Sequence, residues 1–113
     1  LILTANEWKI LELGLKQRAQ LLNLILQDIY SEQRILKEGI LPMELIYTHP
    51  GFLRECVGTL PKDSFNLVFY AADIVRGANG KPWVIHDRTQ APSGTGYALE
   101  NRMVMSRVMP DVL

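Results

Sequence analysis

One cysteine, Cys56, in 113 residues leaves no partner for an internal disulfide and argues against a cysteine-based metal site. A lone thiol suits a reducing compartment, and a cytoplasmic location is expected. No apolar run approaches the roughly 20 residues of a membrane span, so no membrane partner is expected. Leu1-Ile2-Leu3 is too short, and lacks the basic flank, to be a signal peptide. Neither sign of charge prevails: twelve Lys and Arg face twelve Asp and Glu. The balance argues against nucleic acid or an anionic surface as a partner. There is no internal repeat and no low-complexity stretch.

With 48% hydrophobic and 21% charged residues, the composition is that of a globular chain, and the length allows one domain at most. The chain opens on Leu1 rather than Met and closes on the apolar stretch Pro110-Asp111-Val112-Leu113. It is therefore expected to be a segment of a longer protein. Its fold class is expected to be α+β. Residues 1–60 would be mainly helical, and residues 61–113 would carry an antiparallel hairpin, a Pro-Ser-Gly loop and a helix.

Thr4-Ala5-Asn6-Glu7 reads as a capping box at a helix start. Apolar residues then recur at Trp8, Leu11, Leu15, Leu22, Leu26 and Ile29, in steps of three, four and seven. Ile10, Leu13, Leu21, Leu24 and Ile25 widen the stripe, which implies cover on more than one side. Gly14 costs this helix about 0.5–1 kcal/mol relative to Ala, and close packing of another element is the expected reason. Arg18 falls on the stripe, either snorkelling to water or directed at a ligand or buried acid. Ser31–Lys37 reads as a second helix capped by Ser31 and stopped at Gly39. Pro42-Met43-Glu44-Leu45 begins a further helical turn. His49-Pro50-Gly51 is a turn with a surface or capping histidine.

From Phe65 the period changes. Asn66–Arg76 is rich in aromatic and β-branched residues and reads as a strand. Asn79-Gly80 favours a tight two-residue turn, and Pro82–His86 is the return strand. Such a turn places Asp73 opposite His86. Asp73, His86 and Arg88 then share one face, and Asp87 points to the other. A loop of odd length would bring Asp73 to Asp87 instead. Pro92, Ser93, Gly94 and Gly96 form a loop before a helix over Tyr97–Met109. Backbone amides in that loop, with the helix dipole, could receive an anion, although the spacing is neither that of a P-loop nor that of a dinucleotide fingerprint. Glu100 and Asn101 are expected in the first turn of this helix, where Glu100 complements the dipole.

The run Asp87-Arg88-Thr89-Gln90-Ala91-Pro92-Ser93-Gly94-Thr95-Gly96-Tyr97-Ala98-Leu99-Glu100-Asn101-Arg102 resembles the circularly permuted ATP-grasp family. There an acidic strand position precedes a second strand, a Pro-Ser-Gly loop and a Leu-Glu-Asn-Arg helix start. Gly14-Leu15, Gln17-Arg18-Ala19, Leu21-Leu22-Asn23 and Gly39-Ile40-Leu41-Pro42 extend the likeness over nearly the whole chain.

The resemblance implies a fragment of an ATP-grasp-like fold. It also implies, for the longer protein, an ATP-dependent carboxylate–amine ligase working through an acyl phosphate. ATP and Mg²⁺ are the implied cofactors, with none expected on this segment alone. The remaining domains of the same protein are the expected partners, and the apolar first helix could drive self-association. The competent pattern would carry Glu-Asp-Asn before the loop, with Glu, Asn and the earlier Asp holding Mg²⁺ on the phosphates. This chain has Asp73 as candidate metal ligand and keeps Asp87, but has His86 for Glu, Arg88 for Asn and Gln90 where Arg is common. Arg88, Ser93 and Gly94 are the candidate nucleotide-binding residues. The alternative is a non-catalytic scaffold or interaction module with a degenerated metal site. A crowded Asp73–Arg88 pair would favour the scaffold; an open cleft at Ser93 and Gly94 would favour the nucleotide.

Overall fold

The computed structural model describes residues 3–61 and 64–112. The described residues hold four α-helices and a two-stranded antiparallel sheet, an α+β arrangement. The chain forms two compact units, Leu1–Val68 and Phe69–Leu113.

The first unit is built on helix α1, Ala5–Ile29. Its start is the expected capping box. The Thr4 hydroxyl accepts from the Glu7 amide at 3.3 Å, and the Thr4 amide donates to Glu7 Oε2 at 2.8 Å. Two of the four amides orphaned at a helix start are thereby satisfied. The helix buries Leu11, Asn23 and Ile29. The wide stripe is not covered on all sides, since Trp8, Ile10, Leu13, Leu21 and Leu24 remain more than half exposed. The packing expected at Gly14 is also absent, because a Cβ built there meets nothing within 4 Å. Arg18 is exposed.

Helix α2 is shorter than the sequence suggests, Arg34–Lys37, and Ser31 does not cap it. Asp28, still within α1, does so from six residues back. Its two carboxylate oxygens accept from the amides of Arg34 and Ile35, each at 3.0 Å. The carboxylate therefore sits at the positive end of α2, where a negative charge is favoured. Leu36 on α2 is the most deeply buried of the core residues, and Gly39 ends the segment at φ 69°. Helix α3 follows as Met43–Tyr47, with Pro42 as its N-cap. His49 is a capping histidine, Nδ1 accepting from the Gly51 amide at 3.0 Å. Residues Arg54–Cys56 make one 3₁₀ turn. Tyr30, Tyr47 and Phe52 form an aromatic cluster, with the Arg54 guanidinium 5.3 Å from the Tyr47 ring centre.

The expected strand over Asn66–Arg76 is shortened at its start. Strand β1 is Ala71–Arg76. The amides of Asn66 and Leu67 are taken by the side chain of Asn23, whose Oδ1 accepts both at 2.8 and 3.0 Å. One turn further along α1, Gln27 Nε2 donates to the Ser64 carbonyl. A stretch of strand-like composition is thus held against a helix, its Asn66 and Leu67 amides taken by the Asn23 side-chain oxygen rather than by a neighbouring strand.

The second unit is the hairpin and helix α4. Strand β2 is Pro82–Arg88, antiparallel to β1. Helix α4 is Thr95–Val108, starting two residues earlier than expected. Glu100 consequently falls in the second turn, and the first turn holds no acid. Every described residue of α4 is exposed. Among the described residues no helix is long and apolar enough to cross a membrane.

Candidate functional site

The hairpin turn decides which side chains meet. Arg76 pairs with Pro82, and the Gly77 amide donates to the Lys81 carbonyl at 2.9 Å. The loop is therefore three residues, 78–80, and not the expected two. Gly80 closes it at φ 76°, and Asn79 Oδ1 accepts from the Lys81 amide at 3.0 Å. This is the odd-length loop that alone would shift the register by one. The shift is cancelled between Asp73 and Ile74: Ile74 pairs with Val84, but Asp73 pairs with His86. Ile85 is the extra residue of a β-bulge, which re-aims every side chain beyond it. Two irregularities thus restore the alignment of Asp73 with His86.

Beyond the bulge the faces alternate. Arg88 reaches diagonally across to Asp73 on one face, Nη2 to Oδ2 at 2.7 Å and Nε to the two oxygens at 3.2 and 3.3 Å. These hydrogen bonds hold the Asp73 carboxyl below its usual range, with the Arg88 and His86 charges acting in the same direction against partial desolvation. The same bonds raise the pKa of the guanidinium. The two side chains are 54% and 42% exposed, so the pair adds little to folding stability. Asp87 lies on the other face, half-buried, where Oδ1 accepts from the Tyr70 hydroxyl at 2.6 Å. Tyr70 had given no signal in the sequence. Once Ala72 is known to pair with Asp87, alternation two residues back puts Tyr70 on the same face.

His86, Asp87, Arg88, Thr89, Gln90, Ala91, Pro92 and Ser93 line a depression of about 250 Å³. The loop that follows β2 turns at Ala91, φ 42°, and at Gly94, φ 100°. Gly94 is the N-cap of α4 and brings no side chain to cap it. The first amides of α4 have no acceptor within the helix, as at any helix start. Ser93 is exposed at the end of the depression and precedes these amides directly. The lining thus includes one guanidinium residue, Arg88, two hydroxyl residues, Thr89 and Ser93, and the acid Asp87, and it ends beside a helix N-terminus. A second depression, of about 340 Å³, lies in the first unit among Gln33, Tyr47, Phe52, Arg54 and Val57, with no acid among its walls.

The donors around Asp73 do not fit Mg²⁺. Both Asp73 oxygens face a guanidinium, the residue opposite is an imidazole, and Asp87 points away. Among the described residues no three His, Cys, Asp or Glu side chains gather into a metal-sized group.

The second unit thus carries an acid on a first strand, a return strand, a Pro-Ser-Gly loop and a helix start with no side-chain cap. The profile of the circularly permuted ATP-grasp type 2 family matches residues 1–113, and the chain belongs to that family. It is 42% identical over 111 residues to an uncharacterised protein of Synechocystis sp., covering 98% of this chain and 23% of that protein. It is 41% identical over 112 residues to an uncharacterised protein of Mycobacterium tuberculosis, covering 99% and 13%. To one of Mycobacterium leprae it is 36% identical over 111 residues, covering 98% and 20%. The chain thus spans less than a quarter of the length of these bacterial relatives.

Proposed function

We propose that this chain supplies part of the nucleotide cleft of an ATP-grasp-type carboxylate–amine ligase. Such a ligase activates a carboxylate as an acyl phosphate, which an amine then attacks. The observation that carries the reading is the depression along His86–Ser93, ending at the start of α4, in a chain of this family. Phosphoryl transfer asks a protein chiefly for positioning and charge neutralisation. Arg88 is the cation toward the phosphates, and Ser93 Oγ and the Gly94 amide are the donors beside it. The remaining domains of the protein supply the rest of the cleft and both substrate sites, so the segment alone is inactive.

The Asp73–Arg88 pair favours a second reading, a scaffold with the same fold and no nucleotide. Calorimetric titration of ATP into the whole protein separates the two. Binding that weakens on Arg88→Ala and on Gly94→Val, with the circular dichroism unchanged, supports the cleft. Absence of binding by the folded wild-type protein leaves the scaffold.

A further inference from the structure

We propose that the hairpin receives the phosphate chain without a divalent cation, Arg88 being the fixed counter-charge where a metal ion would otherwise stand. The inference rests on the nucleotide reading above and adds to it the source of the positive charge.

Mg²⁺ demands near-octahedral oxygen donors at about 2.0–2.1 Å. On this face of the hairpin Asp73 is the carboxylate, and both its oxygens are held by Arg88 within 3.3 Å. A cation placed on Asp73 would stand beside the guanidinium and repel it. His86, paired across from Asp73, is a poor ligand for a hard ion. Asp87 cannot turn in without leaving Tyr70 on the opposite face. Arg88, by contrast, is well placed for an anion. Asp73 engages Nε and one N–H of Nη2, which leaves three of the five guanidinium N–H bonds. The residue itself lines the depression with Thr89, Gln90 and Ser93. Asp73 orients the fork, so little conformational freedom is lost when a phosphate arrives.

The test titrates ATP into the whole protein in excess EDTA and again in excess MgCl₂. The wild-type affinity is expected to differ by less than about threefold between the two. Arg88→Asn is expected to lose at least about tenfold in EDTA, the usual effect of removing a charge-assisted hydrogen bond. Arg88→Lys, which keeps the charge and loses the fork, should lose less. The double variant His86→Glu/Arg88→Asn should bind ATP only when Mg²⁺ is present. A wild-type affinity that falls by more than about threefold in EDTA overturns this inference and leaves the nucleotide reading standing. Absence of binding in both buffers overturns both.

Discussion

Asn23 is the most informative position to perturb in the helical unit. It is 6% exposed, and its Oδ1 accepts two backbone amides, from Asn66 at 2.8 Å and Leu67 at 3.0 Å. Asn23→Leu keeps the branching and the number of side-chain heavy atoms and removes the acceptor, so both amides lose their partner. An unsatisfied buried donor costs about 1–3 kcal/mol. Asn66 and Leu67 are only half-buried, so water recovers part of this, and the lower half of the range applies to each. Leucine is also the better helix former by a few tenths of a kcal/mol. The expected net loss is about 2 kcal/mol. It should appear locally, as faster hydrogen exchange of the Asn66 and Leu67 amides, by about thirtyfold at that free energy. Asn23→Asp keeps an acceptor oxygen and should retain most of the protection. Unchanged exchange at both amides in Asn23→Leu would refute the reasoning, since the acceptor would then be contributing nothing. An equal loss in Asn23→Asp would also refute it, and would point to packing instead.

Other outcomes follow from the same geometry. Thr4→Ala removes the hydroxyl half of the capping box and should destabilise the start of α1 by about 1 kcal/mol, read by amide exchange over its first turn. A Cβ at Gly77 would meet the Trp83 indole at 2.7–2.8 Å, so Gly77→Ala must displace the ring; because Trp83 is 59% exposed the ring can swing toward water, and a shift in Trp83 fluorescence with a loss below about 1 kcal/mol is expected. Asp73 should titrate below an ordinary aspartate by carboxyl-carbon NMR, moving back toward the ordinary value in Arg88→Asn. Because its folded pKa is the lower one, its contribution to stability is present above the unfolded pKa and is lost as pH falls through the folded one. A contribution that instead grew on acidification would contradict the pairing.

What the sequence disclosed was local. The Thr4–Glu7 box, the stop at Gly39, one of the two roles offered for His49 and the presence, though not the length, of a turn at Asn79-Gly80 each involve partners within a few residues, so residue type and spacing point to them. The Asp87–Arg102 run disclosed the family, because the succession of strand, loop and helix is written there continuously. The alignment of Asp73 with His86 was one of two registers the sequence left open, and the protein reaches it by neither expected count, through a three-residue loop and a compensating bulge at Ile85. No spacing rule gives that route, since bulge formation depends on how both strands twist against each other.

The tertiary structure alone decided three matters. Asp28 rather than Ser31 caps α2, because the chain folds back far enough for a carboxylate six residues away to reach the amides. Asn66–Tyr70 is not strand, because Asn23, 43 residues earlier, supplies an acceptor that outcompetes β-propensity. Arg88 lies on Asp73 while Asp87 turns to Tyr70, which settles the charge each face presents. Each depends on where the folded chain brings a partner that residue type and spacing do not single out, and donors take whichever acceptor comes within about 3 Å. Residue type determines what a group can bond; only the assembled chain determines what it meets.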